Sequence, residues 1–163
     1  MTAGIVRRSS FDAATDAVLL ASRAVVGIAA RSLPAWADVT LVQFRALVLL
    51  DRDGALNAGR LAELLAVSPS TVTGLCDRLM ARNLVAREAR PSNRREVVVT
   101  IAPLGKTLVD SAISARRKEI ARILAKVPPD KLEGMVEALG AFVEAAEDTP
   151  DQPWSSGWGR RDS

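Results

Sequence analysis

The chain has 163 residues, of which 48% are hydrophobic and 25% charged, a length of about one domain and a balance typical of folded globular proteins. It contains no histidine and a single cysteine, which excludes Ser-His-Asp triads, Cys-His pairs, histidine-ligated metals and an internal disulfide. No Gly-rich phosphate loop is present, so we expect neither an enzyme nor a cofactor. No apolar run reaches the roughly 18 residues of a membrane span. We therefore expect a cytoplasmic protein with no membrane partner.

The charges are distributed unevenly along the chain. The net charge is +3, from 22 basic and 19 acidic residues. Six arginines and only one acid, Glu88, lie between Arg78 and Arg95, whereas residues 132–151 contain six acids and no basic residue. A concentrated basic segment is typical of nucleic-acid contact, although charge alone is equally consistent with a solvated surface.

The N-terminal part of the sequence predicts a long helix over about residues 10–33. Its apolar residues, which include Phe11 and Val18, recur at steps of three and four, the period of an amphipathic helix. A second apolar side predicts that more than one partner buries this helix. Pro34 ends it.

Three helix starts follow in quick succession. Thr40 is a good N-cap, and Gln43 three residues later completes a capping box. Asn57 is the next predicted cap, and Ser68, followed by Pro69 at the favoured first helical position, is the third. Only a few residues join the second and third of these helices, which is the spacing of a helix-turn-helix.

The period of the pattern then changes. Val97, Val99 and Ile101 recur at every second position, with Val98 and Thr100 between them, and residues 84–86 form a shorter run. Together these segments predict a β-hairpin. Its predicted tip is Arg90-Pro91-Ser92-Asn93-Arg94. A hairpin directly after a helix-turn-helix is a wing. We therefore predict a mainly α fold with a small β-hairpin wing, in which residues 38–103 form a winged helix-turn-helix DNA-binding domain.

Two further helices are predicted after the wing, over about residues 104–127 and after Pro128-Pro129. The last helix carries an apolar seam that one short domain cannot easily cover, formed by Leu132, Met135, Val136, Leu139, Phe142 and Val143. We expect this seam to join two subunits. Residues 148–163 are predicted to form a tail, in which Trp154 and Trp158 belong either to a disordered end or to a contact with a partner subunit.

The helix that begins after Ser68 has one apolar and one polar side. Val72, Leu75, Cys76 and Leu79 share the side predicted to face the core. The cap and the opposite side are small, hydroxylated or cationic, and we predict that they contact a DNA major groove: Ser68, Ser70, Thr71, Thr73, Gly74 and Arg78. At the tip of the wing, Arg94 and Arg95 are predicted to contact a narrow minor groove. Arg90 of the same wing is a further predicted DNA contact. The alternative is that the hydroxyls only cap the helix and the arginines only solvate a hairpin.

Two stretches carry a specific combination of residues. The first is LNAGRLAELLAVSPSTVT, residues 56–73, with Asp77-Arg78-Leu79 and Asn83-Leu84-Val85 after it; the second is Asn93-Arg94-Arg95 with Val97, Val99 and Ile101-Ala102-Pro103-Leu104-Gly105. This combination resembles the MarR family of bacterial winged-helix transcriptional regulators, and the resemblance covers about residues 10–147.

The resemblance implies a function and an assembly. It implies a transcriptional regulator, which we expect to be a repressor, that binds a pseudo-palindromic operator in double-stranded DNA. It also implies a homodimer joined through the terminal helices, residues 10–33 and 104–147, with Phe11 and Val18 in the interface. A small aromatic or phenolic ligand often lowers the DNA affinity of such proteins. The whole chain, residues 1–163, is then a single domain with long dimerisation helices.

Three positions depart from the family pattern. Asn93 stands where the wing usually has an aspartate, so the ion pair that commonly fixes the wing is lost, while Arg95 keeps the usual arginine. Gly74 stands where many members have an arginine. Ala102 replaces the usual threonine cap before Pro103, at a cost of about 1 kcal/mol.

Two further hypotheses concern regulation. An effector pocket is expected where the first helix, the helix after Thr40 and the helix over residues 104–127 converge, with Trp36, Phe44 and Arg45 as candidate lining residues. Cys76 lies on the predicted buried side, where a thiol acts as a small hydrophobe; the alternative is a redox-sensing regulator. A winged-helix module that binds protein without sequence-specific DNA binding is the other alternative.

Overall fold

A computed structural model describes the backbone of residues 2–90 and 93–147 and the side chains of residues 10–89 and 97–146. Within these residues the helices are α1 (Thr2–Arg31), α2 (Leu41–Asp53), α3 (Ala58–Leu65), α4 (Pro69–Met80), α5 (Pro103–Leu124) and α6 (Pro129–Glu147). The strands are β1 (Leu56–Asn57), β2 (Val85–Arg90) and β3 (Asn93–Ile101). A short 3₁₀ turn at Ala35–Ala37 follows α1. The predicted mainly α fold with a small hairpin wing is confirmed.

The core lies between α2, α3, α4, the sheet and the first half of α5. Its largest side chains have essentially no exposed surface, among them Phe44, Leu47, Leu61, Leu79 and Leu108. Burying an aliphatic or aromatic side chain of this size contributes about 1.5–3 kcal/mol. This region therefore stabilises itself within one subunit and holds α4 in a fixed place.

Local capping chemistry explains where the helices of the core begin. Thr40 and Gln43 form the predicted capping box, with the Thr40 N–H donating to the Gln43 side chain at 2.8 Å and the Gln43 N–H donating to Thr40 Oγ1 at 3.2 Å. Asn57 and Ser68 each accept a hydrogen bond from the backbone N–H three residues later. Ala102 makes no side-chain cap for α5, as the sequence predicts.

Several boundaries differ from the sequence prediction. Helix α1 extends to Thr2, α4 ends at Met80 rather than Arg82, and α5 ends at Leu124 rather than Val127. The predicted left-handed residue after α4 is confirmed, since Asn83 has φ 56°. Strand β1 was not predicted because two residues show no alternation; it exists through its pairing with β3, with Leu56 opposite Val99.

Close backbone packing fixes the wing relative to α5. A Cβ on Gly105 would lie 2.1 Å from the Leu84 carbonyl oxygen, so only glycine fits at that position. The same carbonyl accepts a hydrogen bond from the Ala102 N–H at 3.0 Å. Lys106 Nζ lies 3.1 Å from Asp51 Oδ1 and so joins α5 to α2.

Helix α1 is apolar over a long segment. By length and composition alone, Ser10–Arg31 is long and apolar enough to cross a membrane, because Asp16 and Arg23 are the only charged residues between Ala13 and Ala30. The expectation that no apolar run reaches this length is therefore wrong by this criterion. Only 11% of its most apolar 18-residue window is buried, and the buried residues Ile28 and Ala29 lie at its C-terminal end.

Candidate nucleic-acid interface

Helix α4 divides into a buried and an exposed side. Val72, Leu75, Cys76 and Leu79 are buried in the core, as the spacing predicts. The predicted DNA-contacting residues of this helix lie on its other side, where all but the half-buried Gly74 are exposed: Ser68, Ser70, Thr71, Thr73, Gly74 and Arg78. The packing of the helix therefore leaves a continuous polar surface directed away from the core.

Hydroxyl groups cluster at the N-terminus of α4. The Ser68 Oγ lies 2.9 Å from the Ser70 Oγ and 2.8 Å from the Thr71 Oγ1, and it accepts the Thr71 N–H at 3.2 Å. The Thr73 Oγ1 donates to the Pro69 carbonyl at 3.1 Å. A hydroxyl has one donor and two acceptor sites, so these groups are held in place by the helix and keep capacity for a ligand.

An ion pair joins α4 to the wing. Arg87 Nη2 on β2 lies 2.9 Å from Asp77 Oδ1 on α4. Sequence reasoning missed this pair, because ten residues separate its members and no local pattern connects them. It places the base of the wing at a set position relative to the exposed side of α4.

A second ion pair holds the other end of α4. Arg82 pairs with Asp38, a residue with φ 43° in the segment that connects α1 to α2. The segment after α1 is thereby fixed to the residues that follow α4. Sequence reasoning did not find this pair either, since its members are far apart in the chain.

The wing is an antiparallel hairpin of β2 and β3. The pairing runs from Val85 opposite Ile101 to Arg90 opposite Asn93, with an irregularity between Ala89 and Arg90. The predicted hairpin is confirmed. The side chains of Arg90, Arg94 and Arg95 lie outside the described residues, so their DNA contacts stay a prediction.

The candidate effector residues lie in three different environments. Phe44 is fully buried, and the guanidinium of Arg116 on α5 lies 5.7 Å from its ring centroid. Arg45 is half-buried and donates to the Leu64 carbonyl at 3.0 Å, whereas Trp36 is 57% exposed. Burial lowers the pKa of Arg45 and of Arg116 from their usual values. Arg116 was not among the sequence candidates, because on α5 it resembles an ordinary surface arginine.

Cys76 is enclosed by the core. Its side chain is 1% exposed, and burial raises the pKa of its thiol, an effect that the nearby Arg87 partly opposes. A neutral, buried thiol has little of the thiolate character that oxidant sensing requires. The environment therefore favours the packing role over the redox role.

The terminal helices present apolar side chains to solvent in a single subunit. Phe11 and Val136 are each 72% exposed. The other predicted dimerisation residues on α6 are 41–50% exposed, except the half-buried Leu132: Met135, Leu139, Phe142 and Val143. Val18 on α1 is exposed as well. Large apolar side chains that are exposed along the same helices are typical of an interaction surface.

This fold and site define a winged helix-turn-helix DNA-binding protein. The MarR family model matches residues 39–97. The crystal structure of RV1404 from Mycobacterium tuberculosis is similar with 41% identity and a TM-score of 0.78, over 84% of this chain and 94% of that one. The transcriptional repressor MdtR of Bacillus subtilis (strain 168) is 28% identical over 74% of this chain and 78% of its own length.

A third similar protein is BpsR from Bordetella bronchiseptica, whose DNA binding is regulated by 6-hydroxynicotinic acid. Its structure is 26% identical, with a TM-score of 0.57, over 79% of this chain and 97% of that one. From these matches, the chain belongs to the MarR family of transcriptional regulators. The family resemblance that the sequence shows is confirmed.

Proposed function

We propose that this protein is a homodimeric repressor that binds a pseudo-palindromic operator and is released from it by a small aromatic ligand. A regulator of this kind acts on DNA in the cytoplasm, where we place it. The observation that carries the proposal is the polar, hydroxyl-rich side of α4, which the core holds outward beside the wing. In this proposal the two α4 helices of a dimer enter major grooves about one helical turn, roughly 34–36 Å, apart.

The exposed side of α4 and the wing supply complementary DNA contacts. The N-terminus of a helix attracts phosphate through its backbone N–H groups, and Ser68, Ser70 and Thr71 add hydroxyls there. Arg78 adds a cation further along the same side. Arg95 of the wing is proposed to enter the adjacent minor groove, where a narrow groove has enhanced negative potential, and Arg94 to contact the phosphate backbone.

The exposed apolar surface of the terminal helices supports the homodimer. Each large apolar side chain left in water forgoes about 1.5–3 kcal/mol of burial, and α6 exposes several of them. A second copy of the chain carries the same surface and covers it symmetrically. The same pairing accounts for the exposed, membrane-length apolar segment of α1.

The proposal of repression and ligand release is supported by the similar proteins and by two arginines on α2 and α5. MdtR is a repressor, and the DNA binding of BpsR responds to an aromatic acid. Arg45 and Arg116 lie half-buried on α2 and α5, and desolvation that lowers the pKa of both is offset when an anion lies nearby. An aromatic carboxylate suits this region, and its binding is proposed to change the separation of the two α4 helices.

The test is selection of bound sequences from a randomised DNA duplex library, followed by measurement of stoichiometry and ligand response. We expect a selected site with two-fold symmetry that binds two subunits, and a lower affinity when salicylate is added. A selected site without symmetry would contradict the homodimer. Binding that no phenolic or aromatic acid alters would contradict ligand release, while leaving DNA recognition intact.

A further inference from the structure

Gly74 is a glycine that the fold of the subunit does not require. It lies inside α4 with no positive φ. Apart from the adjacent residues and the nearby backbone of the helix, a Cβ built there would meet only the Nη1 atom of Arg78, at 3.8 Å. Gly105 is the opposite case, since a Cβ there would lie 2.1 Å from a backbone oxygen. Glycine inside a helix is less favourable than alanine. The reason for Gly74 therefore lies outside the core.

The Arg78 side chain lies back along α4 over Gly74. Helical side chains point toward the helix N-terminus and cover the turn before their own Cα. The contact distance of 3.8 Å to the Cβ position of Gly74 shows that the guanidinium reaches four residues back, which is about 6 Å along the axis. The charge thus lies in the N-terminal half of the helix, where Ser70 and Thr71 are exposed.

Arg78 is not paired with any of the residues whose side chains the structure describes. The neighbouring carboxylate of Asp77 pairs with Arg87 on β2 at 2.9 Å. Among the described residues no acceptor lies within hydrogen-bond or ion-pair distance of Arg78. An arginine that is extended along a surface without such a partner has five donors that a ligand can accept.

Ser70, Gly74 and Arg78 follow at intervals of four residues and share one exposed side of the helix. Gly74 lowers this side at its centre, so that a base edge approaches the helix backbone closely. We propose that Gly74 and Arg78 form the base-reading element of α4 and that the base they select is a guanine in the major groove. This inference rests on the proposed operator binding and adds which side chain reads a base and which base it reads.

Guanine is the base whose chemistry fits this geometry. Its O6 and N7 atoms are two neighbouring acceptors at the major-groove edge, and the forked donors of arginine match them with two hydrogen bonds. Gly74 acts through Arg78 as a positioning residue, because a side chain larger than alanine at position 74 would occupy the space in which the Arg78 guanidinium lies. An alanine would only touch the guanidinium at ordinary contact distance.

The experiment compares selected duplex sequences and affinities for the wild-type protein and four variants. Arg78→Lys keeps the charge and removes the fork, and Arg78→Ala removes both. Gly74→Leu fills the space beside the Arg78 guanidinium with a side chain that cannot donate a hydrogen bond. Gly74→Ala is its matched control, with a much smaller side chain. Circular dichroism and thermal unfolding check that each variant folds. The selected guanine is then replaced by 7-deazaguanine, which lacks the N7 acceptor.

We expect the wild-type protein to select one guanine in each half-site and Arg78→Ala and Gly74→Leu not to select it. Gly74→Ala and Arg78→Lys should select it less strongly than the wild-type protein, because the methyl group limits the approach of the base edge and the lysine lacks the forked donors. Losing that guanine should weaken wild-type binding by about 10- to 100-fold. Arg78→Lys should lose less affinity for random DNA than Arg78→Ala, because its charge is retained. Replacement by 7-deazaguanine should weaken the wild-type protein and leave Arg78→Ala almost unaffected.

The inference is overturned if Arg78→Ala or Gly74→Leu selects the same base at every position as the wild-type protein, or if the wild-type protein binds the 7-deazaguanine duplex as well as the guanine duplex. If the wild-type protein selects no sequence at all, the proposed function fails and the inference falls with it. The two failures are therefore distinguishable by the wild-type selection alone.

Discussion

The winged helix-turn-helix core and the terminal helices use their apolar residues in opposite ways. In the core, Phe44, Leu47 and Leu79 have no exposed surface, and the polar side of α4 is directed outward. In α1 and α6 the large apolar residues Phe11, Val136 and others remain exposed in one subunit. The difference shows that one chain by itself completes the structure that presents α4, whereas α1 and α6 leave large apolar side chains uncovered.

Helix α5 belongs to both regions. Its first half packs into the core through Leu108, Val109 and Ala112, and its second half exposes Ile123. Arg31 near the end of α1 pairs with Glu119 of α5 at 2.7 Å. One continuous helix therefore connects the core that holds α4 with the terminal region, and the proposed ligand response would act through this connection.

The largest effect is expected when the terminal region is removed. A chain ended after Val127 lacks α6, so the apolar surface that it covers in the dimer is left open. We expect a monomer or an aggregate that no longer binds the operator, measured by analytical ultracentrifugation and fluorescence anisotropy. A chain ended after Glu147 is the control and should remain a dimer. A dimeric protein after the shorter truncation would contradict the separation of the two regions.

Substitutions of one phenylalanine in each region sharpen the comparison. Phe44→Ala should lower the free energy of unfolding by about 3–5 kcal/mol, because it leaves a cavity in a closed core. Phe142→Ala should instead act through the dimer, with an effect that depends on protein concentration. Urea unfolding at two protein concentrations separates the cases. Equal and concentration-independent losses would place Phe142 in a core of the same kind as Phe44.

The wing should contribute less, and its two neighbouring arginines should differ. Successive side chains of a strand point to opposite faces, so we expect Arg95 alone to enter the minor groove. Arg95→Ala should cost about 1–3 kcal/mol of operator binding. Arg94→Ala should weaken all sequences similarly and lower the salt slope by about one ion. Affinities for operator and random DNA across a salt series give both quantities. If Arg95→Ala binds the operator with wild-type affinity, the wing does not contribute to operator recognition.

The smallest effect is expected at Cys76. Burial raises the pKa of its thiol in the folded state, so the unfolded chain releases the proton at lower pH. The thiol thus stabilises the fold below its unfolded pKa, and this contribution is lost as the pH rises through the higher folded pKa. Cys76→Ala should remove that alkaline loss of stability in pH-dependent urea unfolding. A native thiol that reacts rapidly with a disulfide reagent at neutral pH would instead support redox sensing.

Local signals in the sequence predicted most of the DNA-binding region. The caps at Thr40, Asn57 and Ser68 depend on residues within three positions of one another, and the structure has each of them. The two sides of α4 follow from helical spacing, which is why their burial was predictable. The candidate effector residues were harder to predict from the sequence. Phe44 lies in the core, and Arg116 comes close to its ring only because α5 packs on α2.

The sequence by itself determined where the helices start, which side of α4 is polar and which family the chain resembles, because these depend on neighbours along the chain. Only the tertiary structure decided that Asp77 pairs with Arg87 and Asp38 with Arg82. It also decided which apolar helices lack cover within the subunit. These features depend on how distant segments meet, and periodicity carries no information about the distance between two segments in space.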